Sequence, residues 1–199
     1  MTICSETRQL KDTVLNLQAA TGVTDQTNYG NDGTYNGGMG VTDGAYVFDG
    51  TDDYVNCGDA DAFSGMAGLT ISAWVRGNAS GTAAVEGIVA KDAASRGFYL
   101  SAFTSNAVRF LVSDDGSTND SINSTNNSIP NDTWVHVAAV WDGSNITIYV
   151  DGVSNVTAAT VNATTTINGN AEDLSIGRYK YGVATAYYDG SIKDVRIIS

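Results

Sequence analysis

The chain has 199 residues, with 22 acidic against ten basic side chains and a formal net charge of −12. That charge repels nucleic-acid phosphates and anionic headgroups, which argues against sequence-independent DNA or RNA binding. No apolar run approaches the roughly 18 residues of a spanning helix, so membrane insertion is not expected either. The length suits one domain, large enough to bury roughly 70% of the surface its unfolded chain exposes, so neither metal nor disulfide is required merely to fold.

There are 22 glycines and a single proline, and Thr, Asn, Asp and Val greatly outnumber the good helix formers. Branched side chains favour pleated strands, and Asn, Asp and Gly favour tight turns, so the composition predicts strand and turn throughout. Cys4 and Cys57 are the only cysteines and Cys4 falls in the terminal segment, so they make neither a disulfide framework nor a zinc motif, and both are expected as free thiols. The segment from Met1 to Val14 carries charges where a secretion signal would need an apolar stretch, so no signal peptide is expected in this chain.

Residues 1–13 are polar and aperiodic and are expected to form an arm, leaving 14–199 as the domain. Short apolar pieces at Val14, Leu15 and Leu17 lead into a turn-rich stretch ending near Tyr35. Strands are then expected at Ala45–Phe48, Tyr54–Cys57, Leu69–Arg76, Glu86–Lys91, Phe98–Thr104 and Ala107–Ser113. In LTISAWV the alternation places Leu69, Ile71, Ala73 and Val75 on one face and Thr70, Ser72 and Trp74 on the other. The polar stretch Asp114 to Asn131 is expected to be a solvated loop. Further strands are expected at Thr133–Trp141, Asn145–Val150, Thr164–Ile167, Asp173–Gly177 and Ser191–Ile198. The linker Asp142-Gly143-Ser144-Asn145 has the chemistry of a short hairpin turn, which makes its two flanking strands antiparallel neighbours.

The segments YVFDGTDDYVNCG, LTISAWV, GIVAK, TWVHVAAVWDGSNITIYVDG, LSIGR and DGSIKDVRII occur in that order. Over roughly residues 14–199 this order resembles the laminin G-like jelly-roll family of the concanavalin A-like lectins. The resemblance implies an all-β, two-sheet antiparallel jelly-roll sandwich of six or seven strands per sheet, with the first and last strands side by side. It also implies a binding module more often than an enzyme.

For catalysis, sandwich glycosidases use Glu and Asp alternating on one strand, whereas Glu6, Glu86 and Glu172 are scattered along the chain. His136 is the single histidine and is expected to be a hydrogen-bonded side chain on a sheet face. A non-enzyme is therefore expected. Calcium is the cofactor considered, held structurally by Asp49 and Asp194, because the fold brings early and late strands together. At the rim where relatives hold calcium, this chain instead offers Ser95, Arg96 and Gly97 opposite Arg178, Tyr179 and Lys180, which suits an anionic ligand better.

The leading ligand patch is Arg178, Tyr179, Lys180, Tyr181, Tyr187 and Tyr188, where rings can stack on sugar C–H faces and cations can meet hydroxyls or acids. Trp74, Trp134 and Trp141 are expected to pack in the core or on a sheet face. The reading is a recognition or adhesion module that binds a glycan or a protein surface through rim loops, at the cell surface, outside the cell or on a virion. The alternatives are a virion or cell-surface decoration or fibre protein that partners its own assembly, and, more weakly, a polysaccharide hydrolase or lyase.

Overall fold

A computed structural model describes residues 12–78, 85–160, 162–163, 165–181 and 184–199. In chain order the strands are β1 (Thr13–Leu17), β2 (Thr34–Asn36), β3 (Gly40–Thr42), β4 (Ala45–Asp49), β5 (Tyr54–Asn56), β6 (Leu69–Gly77), β7 (Val85–Lys91), β8 (Phe98–Phe103) and β9 (Ala107–Val112). They continue as β10 (Asp120–Asn123), β11 (Val135–Trp141), β12 (Asn145–Val150), β13 (Val153–Ala159), β14 (Ser175–Ile176), β15 (Arg178–Tyr181), β16 (Ala184–Tyr187) and β17 (Asp189–Ile198). Helical structure among the described residues is confined to three short 3-10 turns.

Two antiparallel sheets face each other, as expected of a jelly-roll sandwich, and a separate hairpin lies outside them. The larger sheet runs β13-β12-β11-β6-β17-β4-β3, with β1 also paired to β17, and has eight strands. The other runs β10-β9-β8-β7-β14-β5-β2 and has seven. First and last strands pair as the family resemblance implied, from Thr13 opposite Ile198 to Leu17 opposite Val195. Along β17 the neighbour on one side changes from β4, whose pairing ends with Tyr46 opposite Ile192, to β1. A bulge falls at this change, and Asp194 sits in it with φ 53°, a left-handed conformation that Asp tolerates better than most residues.

Alternation builds the core. Leu69, Ile71, Ala73 and Val75 of β6, and Val135, Val137, Ala139 and Trp141 of β11, all point into the space between the sheets. They meet Phe98, Leu100, Val108 and Phe110 from the opposite layer. Each buried aliphatic or aromatic side chain of this kind contributes about 1.5–3 kcal/mol of burial free energy.

Two sequence expectations need correction. Thr164–Ile167 was expected as a strand, but the described part, 165–167, is not one. Buried Ile167 instead exchanges backbone hydrogen bonds with Met66 and Gly65 across the sandwich end. The stretch 114–131, expected to be loop throughout, contains β10, an edge strand pairing with β9 from Asp120–Val112 to Asn123–Arg109. Its one apolar residue, Ile122, packs partly against the core, a signal too short for periodicity to register. Of the arm expected at residues 1–13, residues 1–11 lie outside the described residues, and Thr13 is not arm but the first residue of β1, paired with Ile198.

Candidate functional site

The outward residues of the seven-stranded sheet form a second, smaller hydrophobic cluster. Ala90, Tyr99 and Leu111 stand side by side on β7, β8 and β9, and Tyr179 of the β15–β16 hairpin packs on them from outside. The hairpin can come this close because β7 has Gly87 beneath it. A Cβ at that position would fall inside the van der Waals envelope of the Arg178 carbonyl and the Tyr179 amide.

Five of the six residues expected to form a ligand patch stand on this hairpin, each with its own partner. The Arg178 guanidinium lies 3.8 Å from the Tyr54 ring centroid and donates to Ser175 Oγ at 2.7 Å. Tyr187, cross-strand from Arg178, has its ring 6.3 Å from that of Tyr54. Tyr179 meets Tyr99 edge-on at 4.7 Å, and Lys180 pairs with Glu172 at 2.9 Å. Tyr181 is 45% exposed, with the Arg96 guanidinium 4.6 Å from its ring centroid. The segments around Arg96 and Arg178 are thus brought together. Tyr188 is the exception and is removed from the patch: it is 0% exposed, lies in the main core, and packs edge-on against Phe48 at 6.3 Å. One residue beyond β16, it points into the sandwich.

Polar groups beneath and beside the hairpin complete the site. Asp92 is 3% exposed; one carboxylate oxygen accepts the Gly97 N–H at 3.2 Å, and Oδ2 has no partner. Burial pushes its pKa up to about 7, against the opposing pull of Arg96 and the Gly97 hydrogen bond. Ser101 Oγ, Arg109 Nε and Arg178 Nε are likewise buried without a partner. Burial also raises the hydroxyl pKa values of Tyr99 and Tyr179. The face therefore combines donors from two guanidiniums, an acceptor or donor at Asp92, and phenol rings at its margin. Tyr54, Asp92, Tyr99, Ser101 and Arg109 went unassigned in the sequence because they are ordinary strand and turn residues, and only the hairpin's path gathers them.

A family model described as the Concanavalin A-like lectin/glucanases superfamily, of the laminin G-like type, matches residues 49–199. The chain belongs to this superfamily. No curated protein matches the sequence. Among solved structures, the binding domain of Paraclostridial Mosquitocidal Protein 1 superposes with a TM-score of 0.75 at 13% identity, covering 96% of this chain and 49% of that one. A botulinum neurotoxin type C structure, titled for cell entry dependent on two ganglioside molecules, gives 0.73 at 14%, covering 96% and 48%. Domain 4 of AbnA, an extracellular arabinanase from Geobacillus stearothermophilus in complex with arabinotriose, gives 0.69 at 17%, covering 94% and 92%. This concanavalin A-like domain spans about half the length of the two toxin chains.

The register of β17 on β4 sets Asp49 and Asp194, the expected calcium pair, apart. Asp49 lies opposite Asp189 on β17, five residues short of Asp194, which is on the order of 16 Å at the rise of a strand. What Asp49 does meet is Asp52 and Asp53: one carboxylate oxygen from each falls within 4.8 Å of the others, at the turn leading from β4 to β5. Oxygens so placed can serve a hard cation. Burial, then Asp49 and Asp52, push Asp53 above the ordinary carboxylate range. His136 lies on the outer face of the eight-stranded sheet, its ring 5.4 Å from that of Trp74, and its backbone N–H donates to Asp151. Glu86 sits at the opposite end of the sandwich from Glu172, accepting a long hydrogen bond from the Asp189 N–H.

Proposed function

We propose that this domain is a non-catalytic recognition module that binds a glycan chain along the outer face of the seven-stranded sheet, bordered by the β15–β16 hairpin and the Arg96 loop. The observation that carries the reading is the pair of ring–guanidinium contacts at the hairpin's margin, Arg96 with Tyr181 and Arg178 with Tyr54, with Tyr181 45% exposed. The guanidiniums beside these rings offer donors to sugar hydroxyls. The Tyr181 and Tyr54 rings, each already stacked with a guanidinium, supply apolar faces for sugar C–H groups. The structural neighbours support the same class of ligand, since one is titled for gangliosides and another for arabinotriose. A further botulinum neurotoxin binding domain is in complex with rat synaptotagmin II, so a protein surface is the competing partner for this face.

The test is a glycan array followed by calorimetry, with arabinotriose as the first single probe. Tyr181→Ala and Arg96→Ala should each weaken binding about tenfold, equivalent to about 1.4 kcal/mol, with melting temperature nearly unchanged because both side chains lie at the margin. Millimolar glycans that fail to bind, or affinities that ignore both substitutions, would dismiss the reading.

A further inference from the structure

The other side of the sandwich has a chemistry of its own. On the eight-stranded sheet, cross-strand pairing sets His136, Trp74 and Lys193 side by side on β11, β6 and β17. One row along, Arg76 of β6 stands beside Trp134, which precedes β11, and Arg196 extends β17 in the other direction. Trp74 is 36% exposed, unusually open for an indole in the middle of a central strand. The Trp134 ring has the Lys193 ammonium 4.5 Å and the Arg76 guanidinium 5.4 Å from its centroid.

Around Trp74 this face gathers basic side chains, although the chain as a whole is acidic. The chain carries −12 overall, yet the outward positions around Trp74 on β12, β11 and β6 hold no carboxylate: they are Asn145, Thr147 and Tyr149; His136, Ala138 and Val140; Thr70, Ser72, Trp74 and Arg76. β17 adds Lys193 and Arg196, and its outward acid, Asp189, stands at the start of the strand opposite Asp49. Asp151, at the β12–β13 turn, receives the His136 N–H, and Asp194 occupies the bulge at the fork between β4 and β1. The ion pairs among the described residues, Lys91–Asp59 and Lys180–Glu172, both lie elsewhere. Three cations gathered without an ion-pair partner among the described residues, in so acidic a chain, mark a place where negative charge is brought from outside.

We propose that this face is a second binding site, specific for an acidic polysaccharide. A sugar ring stacks on Trp74, and the anionic substituents of successive sugars engage Arg76, Lys193 and Arg196. A sheet face is flat and extended, which fits a chain of rings better than a folded partner needing a pocket, and exposed indole beside cations matches the alternation of apolar C–H faces and charges along such a polymer. The site is independent of the hairpin site, on the opposite face of the sandwich.

The experiment is calorimetry of the full chain with oligogalacturonate as the probe, at low and at elevated salt. The expected result is binding that weakens at least tenfold in Trp74→Ala and in Lys193→Glu, is largely kept in Trp74→Phe, falls steeply with added salt, and is unchanged in Tyr181→Ala. Melting curves of each variant exclude unfolding, and the retained affinity of Trp74→Phe separates a lost stacking surface from a disturbed sheet. No binding of oligogalacturonate or of a sulfated oligosaccharide would overturn the proposal. So would binding indifferent to Trp74 and Lys193, or binding only of polyglutamate or of phosphatidylserine vesicles. Loss of binding in Tyr181→Ala alone would assign the acidic sugar to the hairpin face and refute this site while leaving the first reading intact.

Discussion

On the seven-stranded sheet the outward row Ala90, Tyr99 and Leu111 is covered by Tyr179 from the β15–β16 hairpin, whereas the outward row His136, Trp74 and Lys193 of the eight-stranded sheet has Trp74 open to solvent. Both rows obey the same alternation of in and out along a strand. What differs is whether another segment crosses above, and that depends on Gly87 letting backbone pass where a side chain would block it. Covering the first face buries polar atoms that then lack partners; the second, which no described segment crosses at Trp74, keeps that indole open to solvent. Period-two patterning thus tells which residues leave the core, and the crossing segment decides which of those become buried again.

The comparison breaks most completely if the cover is lifted. Gly87→Ala places a methyl against the Arg178–Tyr179 backbone, which cannot yield as a flexible side chain could. The expected loss is about 1–3 kcal/mol of unfolding free energy, the range of overpacking, read as a lowered urea midpoint. Glycan binding at the hairpin should be lost with it, while oligogalacturonate binding at Trp74 should survive in the folded fraction. Equal loss at both faces would mean that the hairpin is not a separable cover.

Asp92 gives the next effect in size. Its folded-state pKa is raised to about 7, so the native protein holds a proton that the unfolded chain releases near pH 4. The stabilisation from that proton is therefore complete below about pH 4 and is lost as the pH climbs through about 7. Its slope is at most about 1.4 kcal/mol per pH unit. Asp92→Asn should flatten the stability profile across that window and be more stable than the parent by about 2 kcal/mol at pH 8. Chemical denaturation at pH 4, 6 and 8 measures this. A parent profile already flat over the window would show that Arg96 and a water at Oδ2 compensate the charge fully.

Much of the fold was legible because sandwich strands repeat every two residues and turns announce themselves through Asp-Gly and Asn-Gly pairs. The strands at Leu69–Gly77, Val135–Trp141 and Asn145–Val150 lie within a residue or two of expectation. Short edge strands such as Gly40–Thr42 were not legible, since three residues hold too little pattern. Of the expected patch, Arg178 to Tyr181 and Tyr187 stand on the β15–β16 hairpin with side chains alternating between its two faces, while Tyr188 fell to the core because adjacent strand residues face opposite ways and sequence proximity does not reveal which. The pairing of Asp49 with Asp194 failed for a related reason: knowing that β4 and β17 are neighbours does not fix their register, and the register puts Asp189 in the place given to Asp194.

The smallest effect concerns the turn from β4 to β5, which joins the two sheets whose faces differ. Asp53 is 4% exposed beside Asp49 and Asp52, and one of its oxygens accepts the Asp49 N–H at 3.2 Å. An asparagine keeps that acceptor and removes one of three like charges. Because the Asp53 pKa is raised in the folded state, the repulsion exists only above the ordinary carboxylate pKa and vanishes as the group protonates at lower pH. Asp53→Asn should therefore stabilise by about 0.5–1 kcal/mol at pH 7 and low salt, have no effect at pH 3, and fade as salt screens the cluster. The sign of that difference at pH 7 decides between two uses of the same three carboxylates. A gain means they are tolerated repulsion at a surface turn. A loss that appears only with calcium present, together with a calcium-dependent rise in melting temperature that the variant lacks, means that a bound cation joins the sheets there.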